Sequence, residues 1–303
     1  MALSVTSWFV DQSNAKGATP KRVFLIGTSD YSDHVLKWPN IKIKWNDIRP
    51  ARTSLQVAND TQQFNFFQND KTKLKNTCHV KIGFTHPTSG DELITMVSGE
   101  IEQVSWGKGY ARVIFNDKFK PLSERIMGTQ DTPVDYTGSS YLPSDLAWYA
   151  CVSYGGLDTT ANSSNPDIDY PSFLTWASVF SSDNVRLSGL FQGQKCNEVL
   201  RKIARITRSA IYRYDNKIAF KRFSIVDSAT AVINGDNQFG DTAMDIDDKD
   251  IINKQYVMFN YDTTSRYHTK TVIDQSSASV NSFGLREATE EDANLWYVDS
   301  VSA

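Results

Sequence analysis

Residues 185–223 read VRLSGLFQGQKCNEVLRKIARITRSAIYRYDNKIAFKRF, and the fold class turns on them. The opening run, VRLSGLF, predicts a strand that leads through Gly193 into a helix. There Cys196, Val199, Leu200, Ile203, Ala204 and Thr207 recur at i, i+3, i+4 spacing, the stripe of an amphipathic helix. Arg201, Lys202, Arg205 and Arg208 fall off that stripe. The segment AIYRYDNKIAFKRF then predicts a hairpin, because Asp215-Asn216 supplies two turn residues that tolerate positive φ. Strand, helix and hairpin make one α+β unit.

Toward the N-terminus the signal is β. Residues 24–27, 41–45, 53–58, 79–84, 93–102 and 110–116 are short runs rich in Ile, Val, Phe and Thr, separated by Asn-Asp, Pro-Thr-Ser-Gly-Asp and Trp-Gly-Lys-Gly turn material. Leu55 and Val57, and Val80, Ile82 and Phe84, alternate so as to put one face of each strand on a core. So many short strands in about a hundred residues predict a barrel or a sandwich. Residues 1–21 are read as an arm with one apolar cluster at Trp8, Phe9 and Val10. Residues 121–184 are read as a linker and helical segment: Gly128, Pro133 and Gly138 break the β pattern, Ser144-Asp145 is a candidate N-cap, and SFLTWASVF at 172–180 is a second helix or a strand. Beyond the hairpin, 251–261 and 269–273 predict strands, and a further segment begins at Asp292. The whole is a mixed β-rich α+β chain, divided at 1–21, 22–120, 121–184 and 185–303.

At 303 residues the chain has the length of about two domains and can bury a core without staples. Its 32 Lys and Arg against 35 Asp and Glu give a net charge of -3, so no global field draws it to nucleic acid or an anionic membrane. No apolar run reaches the ~18 to 20 residues of a bilayer span, and MALSVTSWFV lacks a basic start and a long apolar stretch, so the chain is expected to be soluble without a secretory address. Cys78, Cys151 and Cys196 lie far apart and form no CxxC, which fits no disulfide framework and points to folding in a reducing compartment. The four histidines are dispersed, so no metal and no cofactor is expected.

The candidate chemistry is thin. Trp106-Gly107-Lys108-Gly109 lacks the spacing of a phosphate loop and lies between two strands, so it reads as a tight hairpin turn. Gly27-Thr28-Ser29 lacks the GxSxG pattern. Asp167 and Asp169 in NPDIDY, and Asp236, Asp241, Asp245, Asp247, Asp248 and Asp250, are the carboxylates that could serve glycoside hydrolysis; the competing readings are a turn capping the next helix and a solvated loop. Charge is segregated along the chain. Residues 195–222 hold nine basic residues against Glu198 and Asp215, a net of +7, and residues 226–250 hold seven Asp against Lys249, a net of -6. Tyr212 and Tyr214 interleaved with Arg213 leave single-stranded nucleic acid as a minor alternative.

Several segments, in order, resemble the baseplate hub (tail hub) proteins of tailed bacteriophages. They are IGTSDYSDHVLKWPNIKIKWNDIRPARTSLQVANDTQQFNFF near the start, AIYRYDNKIAFKRF, DIINKQYV at 250–257, and SSASVNSFGLRE at 276–287. The resemblance runs from about Arg22 to about Glu287, with Asn216 where a Gly is usual and Phe283 where a Tyr is. It implies tail-tube-like β-barrels beside a smaller α+β domain; since hub proteins commonly continue beyond the point where Ala303 falls, the chain is either a short member or one whose second barrel is cut short. It further implies a homotrimeric ring of the virion, made in the host cytoplasm. That ring would contact tail tube, distal tail and fibre or spike proteins, with no membrane and no specific nucleic acid. On that reading Trp38, Trp45, Phe66 and Phe67 are expected as aromatic anchors at subunit contacts, against ordinary core packing, and Arg201, Arg205 and Arg208 as further interface residues. The alternatives are a tail-associated glycan-degrading enzyme and a receptor- or carbohydrate-binding module.

Overall fold

The computed structural model describes residues 6–15, 19–41, 52–137, 140–223, 252–290 and 295–298. Two units emerge: Met1–Ser123, Pro166–Asp169 and Tyr212–Ala219 in the first, and Glu124–Asn165, Tyr170–Ile211 and Phe220–Ala303 in the second.

In the first unit the segment read as an arm carries helix α1 (Ser7–Asn14). Thr6 caps it, its hydroxyl accepting the Phe9 N–H at 3.2 Å, and Phe9 is buried with its ring 5.2 Å from that of Phe84. Seven strands follow: β1 (Lys21–Ile26), β2 (Ser29–Asp30), β3 (Val35–Lys37), β4 (Arg52–Ala58), then past the short helix α2 (Phe66–Asn69), β5 (Thr77–His86), β6 (Gly90–Gly107) and β7 (Tyr110–Asp117). They form one antiparallel sheet in the order β2-β1-β5-β6-β7-β4-β3, curled into a half-barrel. The expected strand at 41–45 lies outside the described residues, apart from Ile41.

The curl has a local cause. Strand β6 is 18 residues long, and its pairing slips twice, between Val80 and Lys81 against β5 and between Ile101 and Gln103 against β7, leaving Met96 and Glu102 as extra residues. Each bulge bends the strand and strengthens its twist. Between them Gly99 passes so close to β7 that a Cβ there would lie 1.6 Å from the Asn116 carbonyl oxygen, which only glycine allows. The concave face is apolar: Phe24, Leu55, Val57, Phe64, Val113 and Phe115 are at most 1 % exposed. The alternation read at Leu55 and Val57 is the buried set of β4, whose outward residues are exposed or half-buried.

The second unit is mixed. The Gly- and Pro-rich stretch after α3 (Lys120–Glu124) holds two-residue strands rather than free linker: β8 (Ile126–Met127) and β9 (Val134–Asp135). Helix α4 (Pro143–Trp148) starts ahead of the Ser144-Asp145 cap read from sequence. Pro143 takes the first helical position, and the Asp145 carboxylate reaches back to the Leu142 N–H at 3.2 Å. It runs on into a π-turn, Tyr149–Ser153. The segment 172–180 is helix, within α5 (Tyr170–Ser182). Strands β10 (Leu187–Phe191) and β11 (Gln194–Lys195) lead into α6 (Cys196–Ile206). All six residues of the predicted stripe, Cys196 to Thr207, are buried, and Arg201, Arg205 and Arg208 are exposed.

The hairpin is β12 (Ser209–Tyr214) and β13 (Lys217–Arg222), turning through Asp215 at φ 41° and Asn216 at φ 57°. Behind its base Trp176 is 2 % exposed, its Nε1–H donating to the Ser209 hydroxyl at 2.9 Å and its ring 5.0 Å from Phe220. The last strands are β14 (Lys254–Asp262), β15 (Tyr267–Gln275), β16 (Glu287–Glu290) after helix α7 (Ser277–Phe283), and β17 (Leu295–Tyr297), which returns to pair with β10. Strand β14 lies between β15, antiparallel, and β16, parallel. The acidic block 226–250 lies outside the described residues.

Candidate interaction surfaces

The aromatic anchors read from sequence separate once folded. Phe67 is 2 % exposed and belongs to the apolar cluster of the first unit, whereas its neighbour Phe66 is half-buried at the margin of that cluster. The two rings lie 4.1 Å apart, and the Lys73 ammonium stands 4.9 Å over Phe66. Trp38 is half-buried and lines a groove of about 410 Å³ with Arg22, Pro39, Ile41, Lys81 and Met96, the last being the bulge residue of β6. Trp45 lies outside the described residues. Arg201 and Arg205 project from one exposed side of α6, and Arg208 follows in the left-handed region at φ 48°, its carbonyl accepting the Phe223 N–H at 3.0 Å.

The first unit carries a further arrangement that sequence reading missed. The hairpin tip Tyr212–Ala219 and the segment Pro166–Asp169 both belong to the first unit, and Ile168 bridges Ile218 in parallel. Backbone bonds run from the Ile218 N–H to the Asp167 carbonyl and from the Asp169 N–H to the Ile218 carbonyl, each 2.8 Å. NPDIDY therefore carries a strand-like rung immediately before α5, which begins at Tyr170. Its Asp167 carboxylate pairs with the Lys118 ammonium at 2.9 Å. Next to it Arg213 forms an ion pair with Asp117, whose side chain is 1 % exposed and whose second oxygen accepts the Phe119 N–H at 2.8 Å. At the turn itself Asp215 accepts the Thr95 N–H at 3.0 Å.

Titratable groups in the described residues are tuned by packing. Burial pushes the Cys78 and Cys151 thiols well up and Cys196 up to about 11, the reverse of what an activated nucleophile requires. All three thiols are free and buried. Burial first, then the Lys81 and Lys118 charges, hold His79 below the usual histidine value. Among the described residues no group of three or more His, Cys, Asp or Glu is placed to hold a metal ion, and no helix is long and apolar enough to cross a membrane. The turn reading of Trp106-Gly107-Lys108-Gly109 matches the tight connection of β6 to β7, where Trp106 and Tyr110 are both more than a third exposed.

No protein-family model matches the chain, and no curated protein matches it. Among solved structures it is similar to a tail protein from Neisseria meningitidis MC58, at 10% identity over 89% of this chain and 70% of that one, with a TM-score of 0.48. It is also similar to the 43 kDa tail protein of prophage MuSo2 from Shewanella oneidensis, at 12% identity over 90% and 74%, with a TM-score of 0.49. A prophage tail protein from Listeria monocytogenes EGD-e shares 11% identity over 71% of this chain and 61% of its own, with a TM-score of 0.38.

Proposed function

We propose that the chain is a structural component of a phage or prophage tail. Its place is the baseplate or tail hub, where three copies form a ring that joins the tail tube to distal tail and fibre or spike proteins. Its work is geometric: binding neighbours and passing force or conformational change between them, with no bond-breaking step and no nucleic-acid or membrane partner. The tail-tube-like barrel belongs to this proposal, with the half-barrel as the part of it that the described residues form.

One observation carries the reading. Two of the segments that resemble the hub family, DIINKQYV and SSASVNSFGLRE, are far apart in sequence yet are knit together by a single side chain. Asn253 donates from Nδ2 to the Gly284 carbonyl at 2.7 Å and accepts the Arg286 N–H at 2.8 Å. Its own N–H donates to the Arg286 carbonyl at 3.0 Å. From there Lys254 to Val257 pair in parallel with Glu287 to Glu290. Chance likenesses scattered along a chain have no reason to meet, and Asn253, Gly284, Arg286 and Glu287, which lie within the two likenesses, are where these meet. Of the carboxylates named for the glycan-degrading alternative, Asp167 is paired with Lys118 within a backbone-bonded rung.

The test is particle imaging. Assembled tails are expected to show this chain at the tube–tip junction in three copies; a chain that stays monomeric beside its tail neighbours and is absent from particles refutes the proposal. Release of reducing ends from host glycan by the purified chain, lost on Asp167→Asn, would favour the enzyme instead.

A further inference from the structure

Among the described residues strand β15 ends the β15-β14-β16 sheet, and seven of its nine residues are exposed, including Tyr267 at 57 % and Ile273 at 55 %. A long open edge rich in Thr, Val, Ile and Tyr is a template for another strand, and proteins that leave one unpaired blunt it with proline, bulges or clustered charge. YHTKTVIDQ has no proline, and its one lysine stands four residues before its one aspartate. We infer that β15 is an interface between two copies of this chain, paired antiparallel about a two-fold axis through Val272.

Two features select that occupant. The first is charge. Antiparallel pairing centred on Val272 sets Lys270 opposite Asp274 of the second copy and Asp274 opposite its Lys270, so that two cross-strand ion pairs flank a Val–Val contact on one face. On the other face Thr271 meets Ile273 twice over, and Thr269 meets Gln275 at the ends. A slip of the register by two residues sets Lys270 opposite Val272 or the terminal Ser276 and breaks both ion pairs. The second is length. The other strands at sheet margins among the described residues are shorter or covered: β2, β8, β9 and β11 have two residues, β3 and β17 three, β16 four with an acid at each end, and β12 and β13 six, of which four and three are buried. Only a second β15 presents an edge that matches β15 along its whole run and is complementary to it in charge.

This inference does not rest on the tail reading. A two-fold strand contact is isologous and a three-fold ring is heterologous, so the strand contact is one that free copies make and that a three-copy ring in the tail need not keep.

The experiment uses the full chain in sedimentation equilibrium, with hydrogen exchange across 269–275. Wild-type protein is expected to self-associate, with exchange at those amides slowing as concentration rises. Lys270→Asp and Asp274→Lys, each of which turns two attractive pairs repulsive, are each expected to raise the dissociation constant at least about tenfold. The double variant restores both pairs in reverse and is expected to return to within about threefold of wild type. Mixing the two single variants is expected to give a heterodimer tighter than either homodimer, which also shows that both fold. A wild-type monomer, a ring whose 269–275 amides exchange freely, protection independent of concentration, or single variants that associate like wild type would each overturn the inference. A β15 dimer that never enters tails refutes the hub proposal alone, and a chain that enters tails but never pairs through β15 in solution refutes this one alone.

Discussion

Removing the guanidinium of Arg213 tests the arrangement around the hairpin tip most directly. Arg213→Met keeps most of the side-chain stem and takes away the cation that neutralises Asp117, whose side chain is 1 % exposed while that of Arg213 is 13 %. The carboxylate keeps the Phe119 N–H at 2.8 Å but loses the cation beside it in a site closed to water. Breaking one partner of a buried pair costs about 3 to 5 kcal/mol. A ceiling applies, because the aspartate can escape by protonating. That escape costs about 1.4 kcal/mol for each pH unit above the ordinary carboxylate value near 4, hence about 4 kcal/mol at pH 7. The expected loss is therefore about 3 to 4 kcal/mol at pH 7, a large share of the roughly 5 to 15 kcal/mol that holds a domain together.

The ceiling also fixes a sign. In the variant the folded state binds a proton that the unfolded state does not, so its deficit shrinks as pH falls, to about 1.5 kcal/mol at pH 5. Urea denaturation from pH 5 to 8, with hydrogen exchange on β6 and β7, measures both. Asp117→Leu combined with Arg213→Met is expected to recover most of the loss, since it removes the stranded charge with the cation. A deficit under about 1 kcal/mol that ignores pH, or a double variant as poor as the two single losses combined, would refute the reasoning.

Three further outcomes follow from single contacts. Gly99→Ala forces a Cβ to within 1.6 Å of the Asn116 oxygen and must part β6 from β7, so a loss of about 3 kcal/mol is expected in thermal unfolding; an unchanged melting temperature contradicts it. Trp176→Phe deletes the 2.9 Å bond to Ser209, whose hydroxyl keeps the Thr207 hydroxyl at 2.9 Å, and is expected to lose about 1 to 2 kcal/mol by denaturation, with a neutral result counting against the bond. His79 is held low by burial and by Lys81 and Lys118. The unfolded chain therefore takes up its proton first, near pH 6.5, and the stability present above that pH drains away as pH falls toward the lowered folded value. His79→Gln is expected to flatten the stability slope between about pH 7 and 5, and an unchanged slope would remove His79 as its source.

What could be read from sequence was what short range decides. The stripe from Cys196 to Thr207 is a statement about one helix, and its six residues are buried because a 3.6-residue repeat leaves no other face for them. Asp215-Asn216 names its turn because two consecutive positive φ angles exclude most residues. The losses are equally physical. Strands β8 and β9 have two residues each, too few for any period to show. Phe66 and Phe67 are neighbours of one type that a helical turn sends to different surroundings, so their shared chemistry held no clue to which is core. The +7 block was visible, but its partners were not: Arg213 pairs with Asp117 and Arg222 with Asp183, across 96 and 39 residues, and charge tallies along a chain carry no information about pairing through space. The rung within NPDIDY went unread for the same reason, since the Ile218 backbone that pairs with it enters long afterwards in the chain.

The hairpin turn shows how the two kinds of information combine. Seen locally, Asp215 is a residue chosen for its backbone, interchangeable with Gly or Asn at a positive φ. In the fold its carboxylate also accepts the Thr95 N–H, and Thr95 adjoins the bulge at Met96 where the ladder between β5 and β6 slips. A bulge leaves backbone groups without their strand partner, and an unmet amide is costly wherever water is excluded. The side chain that shapes one turn thus completes the hydrogen bonding of a strand 120 residues earlier. That is why glycine, the better residue for the turn alone, is not its equivalent here. The same bulge supplies Met96 to the groove beside Trp38, so the irregularity that curls the sheet also sets the hairpin tip and one wall of the groove.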